Sequence, residues 1–304
     1  MSQLSLDTKY WVRNKWLYFF LIPGMTYLLI FRYIPMFGIV IAFKELDLLK
    51  GIWASDWIGL DNFRYLFTSS HFYRVLKNSL LLSVYQIIWG FPAPIIMALM
   101  LNEVRNLAFK KMTQTIIYLP HFISWVVLAG IVTSFLSPST GIINHFVTAS
   151  GHEPIAFLLK PQYFRTILVS AEIWKEVGWG TIVYLAAMTG IDPTLYESAT
   201  MDGASRIQKI IYITLPGIAA TIVVLFLLKL GHILDNGFEQ VFLLYNPMTY
   251  ETADVFETYT YRVGLQEGRM SYATAVGLFK GIVGFVLVVS SNRVSRMISG
   301  KSIW

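Results

Sequence analysis

The chain has 304 residues, 55% of them apolar and only 14% Asp, Glu, Lys or Arg, with a formal net charge of +6 and a mean hydropathy of +0.56. Soluble globular proteins run at about 45–50% apolar and about 25% charged, which excludes both a disordered chain and an ordinary water-facing domain. No cysteine is present, which excludes a disulfide scaffold, a thiol nucleophile and Cys-ligated metal, and the positive charge is too diffuse for a nucleic-acid binder.

A bilayer span needs about 20 mostly apolar residues. Six segments qualify in chain order: Leu17–Phe43, Ser79–Leu101, Met112–Leu136, Phe164–Thr189, Pro216–Ile233 and Tyr272–Val289. The first is too long for a signal-peptide core and no small-residue cleavage site follows it, so it is expected to be retained. The last two are short and carry Lys229 and Lys280, which suits helices facing protein or a wet cavity. Lys and Arg are about twice as dense in 1–16, 102–111, 190–215 and 290–304 as in the intervening connections, which predicts cytoplasmic termini by the positive-inside rule. The expected organisation is a cytoplasmic segment 1–16, one membrane domain over 17–289 and a cytoplasmic tail 290–304.

The connection 190–215 is the most informative stretch. Asp192-Pro193 has the form of an N-cap followed by a first-turn proline, and Thr194 with Glu197 offers an alternative capping box. Gly203 can end that short helix in a left-handed conformation. A second piece carries Ile207, Ile210 and Ile211 on one side and Arg206 and Lys209 nearer the other, before Pro216 opens the next span. Small residues (Ser198, Ala199, Gly203, Ala204) permit close approach by a partner, while Glu197 and Asp202 can accept charge-assisted hydrogen bonds.

Glu197-Ser198-Ala199, Gly203, Ile213 and Leu215-Pro216 stand at the offsets of the pattern Glu-Ala-Ala-x3-Gly-x9-Ile-x-Leu-Pro, departing from it only at Ser198. In this the chain resembles the permease subunits of ABC importers. Other matches are Tyr33-Ile34-Pro35 through Phe43-Lys44, Ile58-Gly59-Leu60-Asp61-Asn62-Phe63, Leu119-Pro120-His121-Phe122-Ile123-Ser124-Trp125, Gly237-Phe238-Glu239-Gln240-Val241, Asp254 through Arg262, and the closing Ser299-Gly300-Lys301-Ser302-Ile303-Trp304. These look like carbohydrate permeases, in particular a subgroup assigned to oligosaccharides and polysaccharide fragments such as alginate. The resemblance implies an all-α membrane protein of six transmembrane helices with a cytoplasmic coupling helix, the type I ABC importer permease fold. It implies a place in the bacterial cytoplasmic membrane, a second homologous permease completing a heterodimeric pore, two ATPase subunits holding ATP and magnesium, and an extracytoplasmic solute-binding protein. Coupling to the ATPase would fall to Glu197, Ser198, Ala199, Asp202, Gly203 and Ala204.

For the solute pathway the fourth segment offers Glu172, Lys175 and Glu176, spaced to neutralise one another on a helix, with Trp179 on the same stripe. A carboxylate beside an aromatic face suits a sugar, and an internal salt bridge fixing helix packing is the alternative. Arg32 is a candidate partner for these acids or a residue snorkelling to the surface. Lys229, His232 and Asn236 recur at helical spacing, lining a cavity mouth or simply hydrated, with Asp235, Glu239 and Gln240 just beyond. Tyr33 and Trp125 read as belt or packing aromatics. Gly277 and Gly281 form a small-xxx-small pattern expected to pack helices.

Catalytic chemistry is missing. Gly300-Lys301-Ser302 resembles a P-loop ending, but Ser295 stands where the earlier glycine is required and only two residues follow. The five histidines are scattered, and no metal site is expected. ATP is therefore expected to be hydrolysed on another chain. A self-sufficient ion-coupled carrier, which would need inverted repeats and interrupted helices, is the competing expectation, ahead of a membrane-embedded enzyme.

Overall fold

The computed structural model describes residues 14–299, with side chains to Arg293. Most of the expected N-terminal segment, and all but Ser299 of the closing motif, lie outside the described residues. The chain divides into two compact units, one holding the residues up to 66 with Val263–Leu278, the other Phe67–Arg262 with the residues from Phe279 on.

In the first unit, α1 (Lys15–Phe43) is long and apolar enough to cross a membrane, and no residue from Lys15 to Met36 is buried. A short hairpin follows, pairing β1 (Lys44–Glu45) antiparallel with β2 (Asp56–Trp57). Phe43 stacks on Trp57, and the Lys44 ammonium donates to the carbonyls of Ile52 (3.0 Å) and Trp53 (2.9 Å). Asn62, at the start of α2 (Asp61–Thr68), donates to the Ala42 carbonyl at 2.9 Å, which ties the Ile58–Phe63 motif to the end of α1. The Arg269 guanidinium lies over the rings of Tyr65 (4.6 Å) and Tyr272 (4.9 Å).

The second unit is organised around α7 (Pro161–Thr189). Before it come α3 (Ser70–Asn102), α4 (Leu107–Phe122), α5 (Trp125–Phe135) and α6 (Ile142–Ala149). After it come α8 (Pro193–Met201), α9 (Arg206–Gly231), α10 (Phe238–Leu244), α11 (Phe256–Tyr261) and the greater part of α12 (Met270–Ser299). One buried cluster joins Leu82, Ala129, Phe164, Leu168, Val241, Leu244 and Val255, and a second joins Ala98, Tyr184, Met188 and Ile218. Both draw on α7.

Among the described residues, four helices are long and apolar enough to cross a membrane: α1, α3, α9 and α12. The third expected span is not one straight helix. It is the pair α4 and α5, bent by 101° at their junction. Pro120 cannot donate a backbone N–H, Ile123 and Ser124 are extended, and the Ser124 hydroxyl caps α5 by accepting from the Val127 N–H. The fourth, α7, has 29 residues and an expected length of about 43 Å, but it carries Arg165, Glu172, Lys175 and Glu176 and so falls outside the apolar four. With α7 and the bent pair included, all six expected segments are helical. A Cβ built on Gly277 or Gly281 would meet nothing within 4 Å, so neither marks a close approach of helices within this chain.

Three of the long helices widen by one residue just ahead of a proline. Turns of π type span Leu29–Tyr33 before Pro35, Gln86–Gly90 before Pro92 and Ile210–Thr214 before Pro216. A proline ring crowds the carbonyl four residues back and gives it no donor. Shifting the ladder to a five-residue step relieves that crowding, and such turns concentrate where function needs pliancy.

Outside the spans, buried Asp254 forms an ion pair with half-buried Arg262, and Asp254 also accepts from the Thr258 hydroxyl at 2.8 Å. Burial works against the charged guanidinium, yet the Asp254 carboxylate raises the Arg262 pKa above its ordinary value. Asn78 joins this region to α3 by donating to the carbonyls of Glu251 (3.0 Å) and Asp254 (3.1 Å) while accepting from Arg165 (2.8 Å).

Gly178 lets α7 meet α4 at backbone distance, since a Cβ there would overlap the Ile117 carbonyl. Neither backbone can yield cheaply. Gly178→Val is therefore expected to destabilise the protein by at least about 1–3 kcal/mol, read as a lower melting midpoint in detergent; an unchanged midpoint would refute the close approach.

Candidate functional site

Between α3, α7 and α9 lies a cavity of about 210 Å³, walled by Gly90, Phe91 and Pro94, by Glu172, Ile173, Glu176, Val177, Trp179 and Gly180, and by Lys229. Helical spacing on α7 brings Glu172, Glu176 and Trp179 to this wall together, as the sequence predicts. Lys229 reaches Glu172 from α9 with Nζ 3.5 Å from Oε1. The second oxygen, Oε2, is buried and accepts no hydrogen bond from any described residue. One acceptor on the wall is thus left unpaired.

Lys175 is not part of that wall. It is buried, and its ammonium donates to the backbone carbonyls of His121 (2.5 Å) and Ile123 (2.7 Å), with the Trp125 ring 5.8 Å away. These carbonyls sit at the break between α4 and α5, where the helical ladder no longer supplies donors. Glu176 is 3.8 Å from Lys175 and accepts from the His121 ring at 2.8 Å. The expected Glu172–Lys175 neutralisation is replaced by Glu172 with Lys229, and Lys175 with the broken span. A pairing rule confined to one helix could not anticipate donors and acceptors from other elements.

His121 is the residue that the sequence reading missed. Its imidazole lies flat on Trp179, centroids 4.4 Å apart and planes within 5°, so one face of the indole is covered while the residue remains 47% exposed. The available signal was the polar aromatic directly after Pro120 at the break.

The proposed stripe of Lys229, His232 and Asn236 does not exist as such, because α9 ends at Gly231. His232 is exposed and bonds Asp235 at 2.8 Å. Asn236 is fully buried and donates to the Ser83 hydroxyl (2.9 Å) and the Ser79 carbonyl (3.3 Å), packed away from the cavity. Lys280 is paired with Asp235 (2.5 Å) and Glu257, so the charge in the last span is satisfied by protein. Burial opposes it, but hydrogen bonds from Lys280 and His232 hold the Asp235 carboxyl below its usual range. Arg32 is exposed on α1, in the other unit.

The 190–215 connection forms the expected elbow. Asp192 caps α8 by accepting from the Thr194 N–H at 2.9 Å, which lowers its pKa, and the alternative Thr194–Glu197 box is not used. Gly203 turns the chain at φ +77°, a conformation other residues adopt only at a cost. Ser205 and Gln208 close a capping box at the start of α9. Glu197, Ser198, Asp202 and Gly203 are exposed, with Ala199 and Ala204 half-buried. Leu195, Met201 and Ile207 are exposed beside them, so the three isoleucines do not share one covered face.

Residues 90–301 match the family model described as a binding-protein-dependent transport system inner membrane component. Protein LplB of Bacillus subtilis (strain 168) is 45% identical over 292 residues, covering 96% of this chain and 92% of that protein. The polygalacturonan/rhamnogalacturonan transport system permease protein YteP of the same organism is 46% identical over 293 residues, covering 96% and 91%. Among solved structures, a chain of a bacterial alginate ABC transporter in complex with an alginate pentasaccharide-bound periplasmic protein superposes with a TM-score of 0.90 at 48% identity, covering 99% of this chain and all of that one. The shared length, the helical architecture and the elbow agree: this chain belongs to the family of inner-membrane components of binding-protein-dependent transport systems, and is a transporter subunit rather than an enzyme.

Proposed function

We propose that the chain is one permease half of an ABC importer for a carbohydrate of oligosaccharide size. A second, homologous permease completes the pore, two ATPase subunits bind ATP and magnesium and hydrolyse the nucleotide, and an extracytoplasmic binding protein delivers the solute. Both termini and the elbow lie in the cytoplasm. The observation that carries the reading is the elbow itself: a capped two-helix lever with Glu197 and Asp202 exposed, small residues between them and bare apolar side chains alongside. Such a surface is built to seat in a groove on a partner. The relatives supply the solute class, since their names specify polygalacturonan and rhamnogalacturonan, arabinooligosaccharides and alginate. The self-sufficient carrier gives way to a family defined by dependence on a binding protein.

In the mechanism, ATP-driven closure of the ATPases displaces α8, and α9 carries that displacement to the cavity. The cavity alternates between the two sides of the membrane. Glu172 and Glu176 accept hydroxyl hydrogen bonds from the passing sugar, and Trp179 offers its indole to the C–H face. Lys175 and His121 hold the wall in shape.

In the assembled importer, Glu197→Lys and Gly203→Pro are expected to leave membrane insertion intact while cutting solute-stimulated ATP hydrolysis by about tenfold or more, equivalent to ~1.4 kcal/mol of coupling. Normal stimulation in both variants would refute docking through the elbow. Uptake into proteoliposomes, assayed with alginate, galacturonan and arabinan oligosaccharides, tests the pathway. Glu172→Gln and Trp179→Ala are expected to slow it roughly three- to tenfold, the range for losing one aromatic contact or hydrogen bond, with assembly unchanged by size-exclusion chromatography. Wild-type kinetics in both would reduce the wall to packing, and solute accumulation by this chain alone would overturn the importer reading.

A further inference from the structure

The elbow is joined to the fifth span by more than its backbone. Between α8 and α9 the chain passes through Asp202-Gly203-Ala204, with Gly203 at φ +77° and the backbone N–H groups of Gly203 and Ala204 donating back into α8, to Thr200 and Ala199, rather than on to α9. Two side-chain bonds cross this bend. On the exposed side, the Lys209 ammonium donates to the Thr200 hydroxyl at 2.7 Å. On the inner side, the Tyr196 phenol lies 3.0 Å from the Thr214 hydroxyl. Thr214 is 1% exposed, and its hydroxyl also reaches back to the Lys209 carbonyl at 3.4 Å, which leaves Tyr196 as the donor to Thr214.

The position of Thr214 is what gives this bond mechanical meaning. It closes the π turn Ile210–Thr214, where the Leu215 N–H reaches the Ile210 carbonyl instead of that of Ile211, immediately ahead of Pro216. A helix is easiest to bend at such a place. Tyr196 therefore grips the far end of the hinge directly from the lever, bypassing both the glycine bend and the pliant turn. With Thr214 buried and Tyr196 half-buried, this bond is better shielded from competing water than the exposed Lys209–Thr200 bond.

We propose that the Tyr196–Thr214 hydrogen bond is the strut that carries the motion of α8 into the membrane part of α9, with both acting as positioning residues for coupling. This rests on the reading that α8 docks on the ATPase. Without the strut, displacement of the lever is absorbed at Gly203 and in the π turn, and ATP is hydrolysed without turning the cavity over.

The absence of cysteine in this chain makes the test direct. In the complete importer, with its partners freed of cysteine, Phe91→Cys places one thiol on the cavity wall, and its reaction with a membrane-impermeant maleimide is timed with and without ATP, magnesium and vanadate. The parent is expected to change its labelling rate severalfold on trapping. Tyr196→Phe and Thr214→Val are expected to abolish that change while ATP hydrolysis and co-purification with the ATPases persist. The two together should be no worse than either alone, Thr214→Ser should restore the response, and Lys209→Met should retain it. A purely structural role would instead lower assembly and hydrolysis together, and that result would overturn the strut. So would a full nucleotide response in Tyr196→Phe. Glu197→Lys separates the two readings: if it silences the response and Tyr196→Phe does not, the strut alone fails; if it too responds normally, docking fails and the strut with it. A parent blind to nucleotide would overturn both.

Discussion

A charged group inside an apolar helix has no water to satisfy it, so its partner must come from the protein. On α7 that constraint is met by a second defect. The break between α4 and α5 leaves the carbonyls of His121 and Ile123 without helical donors, and the buried Lys175 ammonium fills both. Each feature alone would be costly, an isolated cation or a pair of orphan carbonyls. Together they cancel and fix where the bent span sits against α7. Glu176 adds a second tie by holding the His121 ring, which in turn covers one face of Trp179. The cavity wall is a consequence of how the break is satisfied.

The same economy governs the close contacts. Helices in a bilayer gain nothing from leaving water, so association depends on shape and on polar ties. Gly178 brings α7 against the α4 backbone, and Gly180 brings it within 2.9 Å of Pro94 for a would-be Cβ, next to the cavity. Pro92 in α3 and Pro216 in α9 each follow a π turn, and these turns place Gly90 on the wall and Thr214 at the elbow end of α9. Rigid contact and pliant turn alternate along the same helices.

How much of this was legible in the sequence depended on whether the partner lay nearby along the chain. The elbow was readable because Asp192, Gly203 and Pro216 act on their own backbones through capping, a left-handed turn and a missing donor. The helical segments were readable because apolar runs are a local signal, although their ends moved outward: Ser79–Leu101 became Ser70–Asn102 once the amphipathic flank joined the helix. The bend at Pro120 is masked by the mostly apolar run Met112–Leu136, although Pro120-His121 and Ser124 interrupt it. Lys175 was assigned to the pathway because a helical rule pairs it with Glu172, while its real partners lie more than fifty residues away. Asn236 went astray for a related reason, since the helical period was carried past Gly231 into a turn where Ser79 and Ser83 claim its amide.

The ion pairs also differ in what they permit. Asp254 is buried and Arg262 half-buried, held by two parallel bonds and backed by Thr258, so removing Arg262 would strand the Asp254 charge at a cost of up to about 3–5 kcal/mol. Glu172 and Lys229 meet by a single contact of 3.5 Å beside a cavity, with Lys229 about a third exposed and Glu172 about a fifth, without the doubled hydrogen bonds of the first pair. The first pair locks the 254–262 segment to itself, and Asn78 extends that lock to α3. The second joins α7 to α9 at the cavity wall, where Lys229 stands on α9 well beyond its π turn. The doubly bonded pair thus stands outside the spans, and the singly bonded one stands at the cavity.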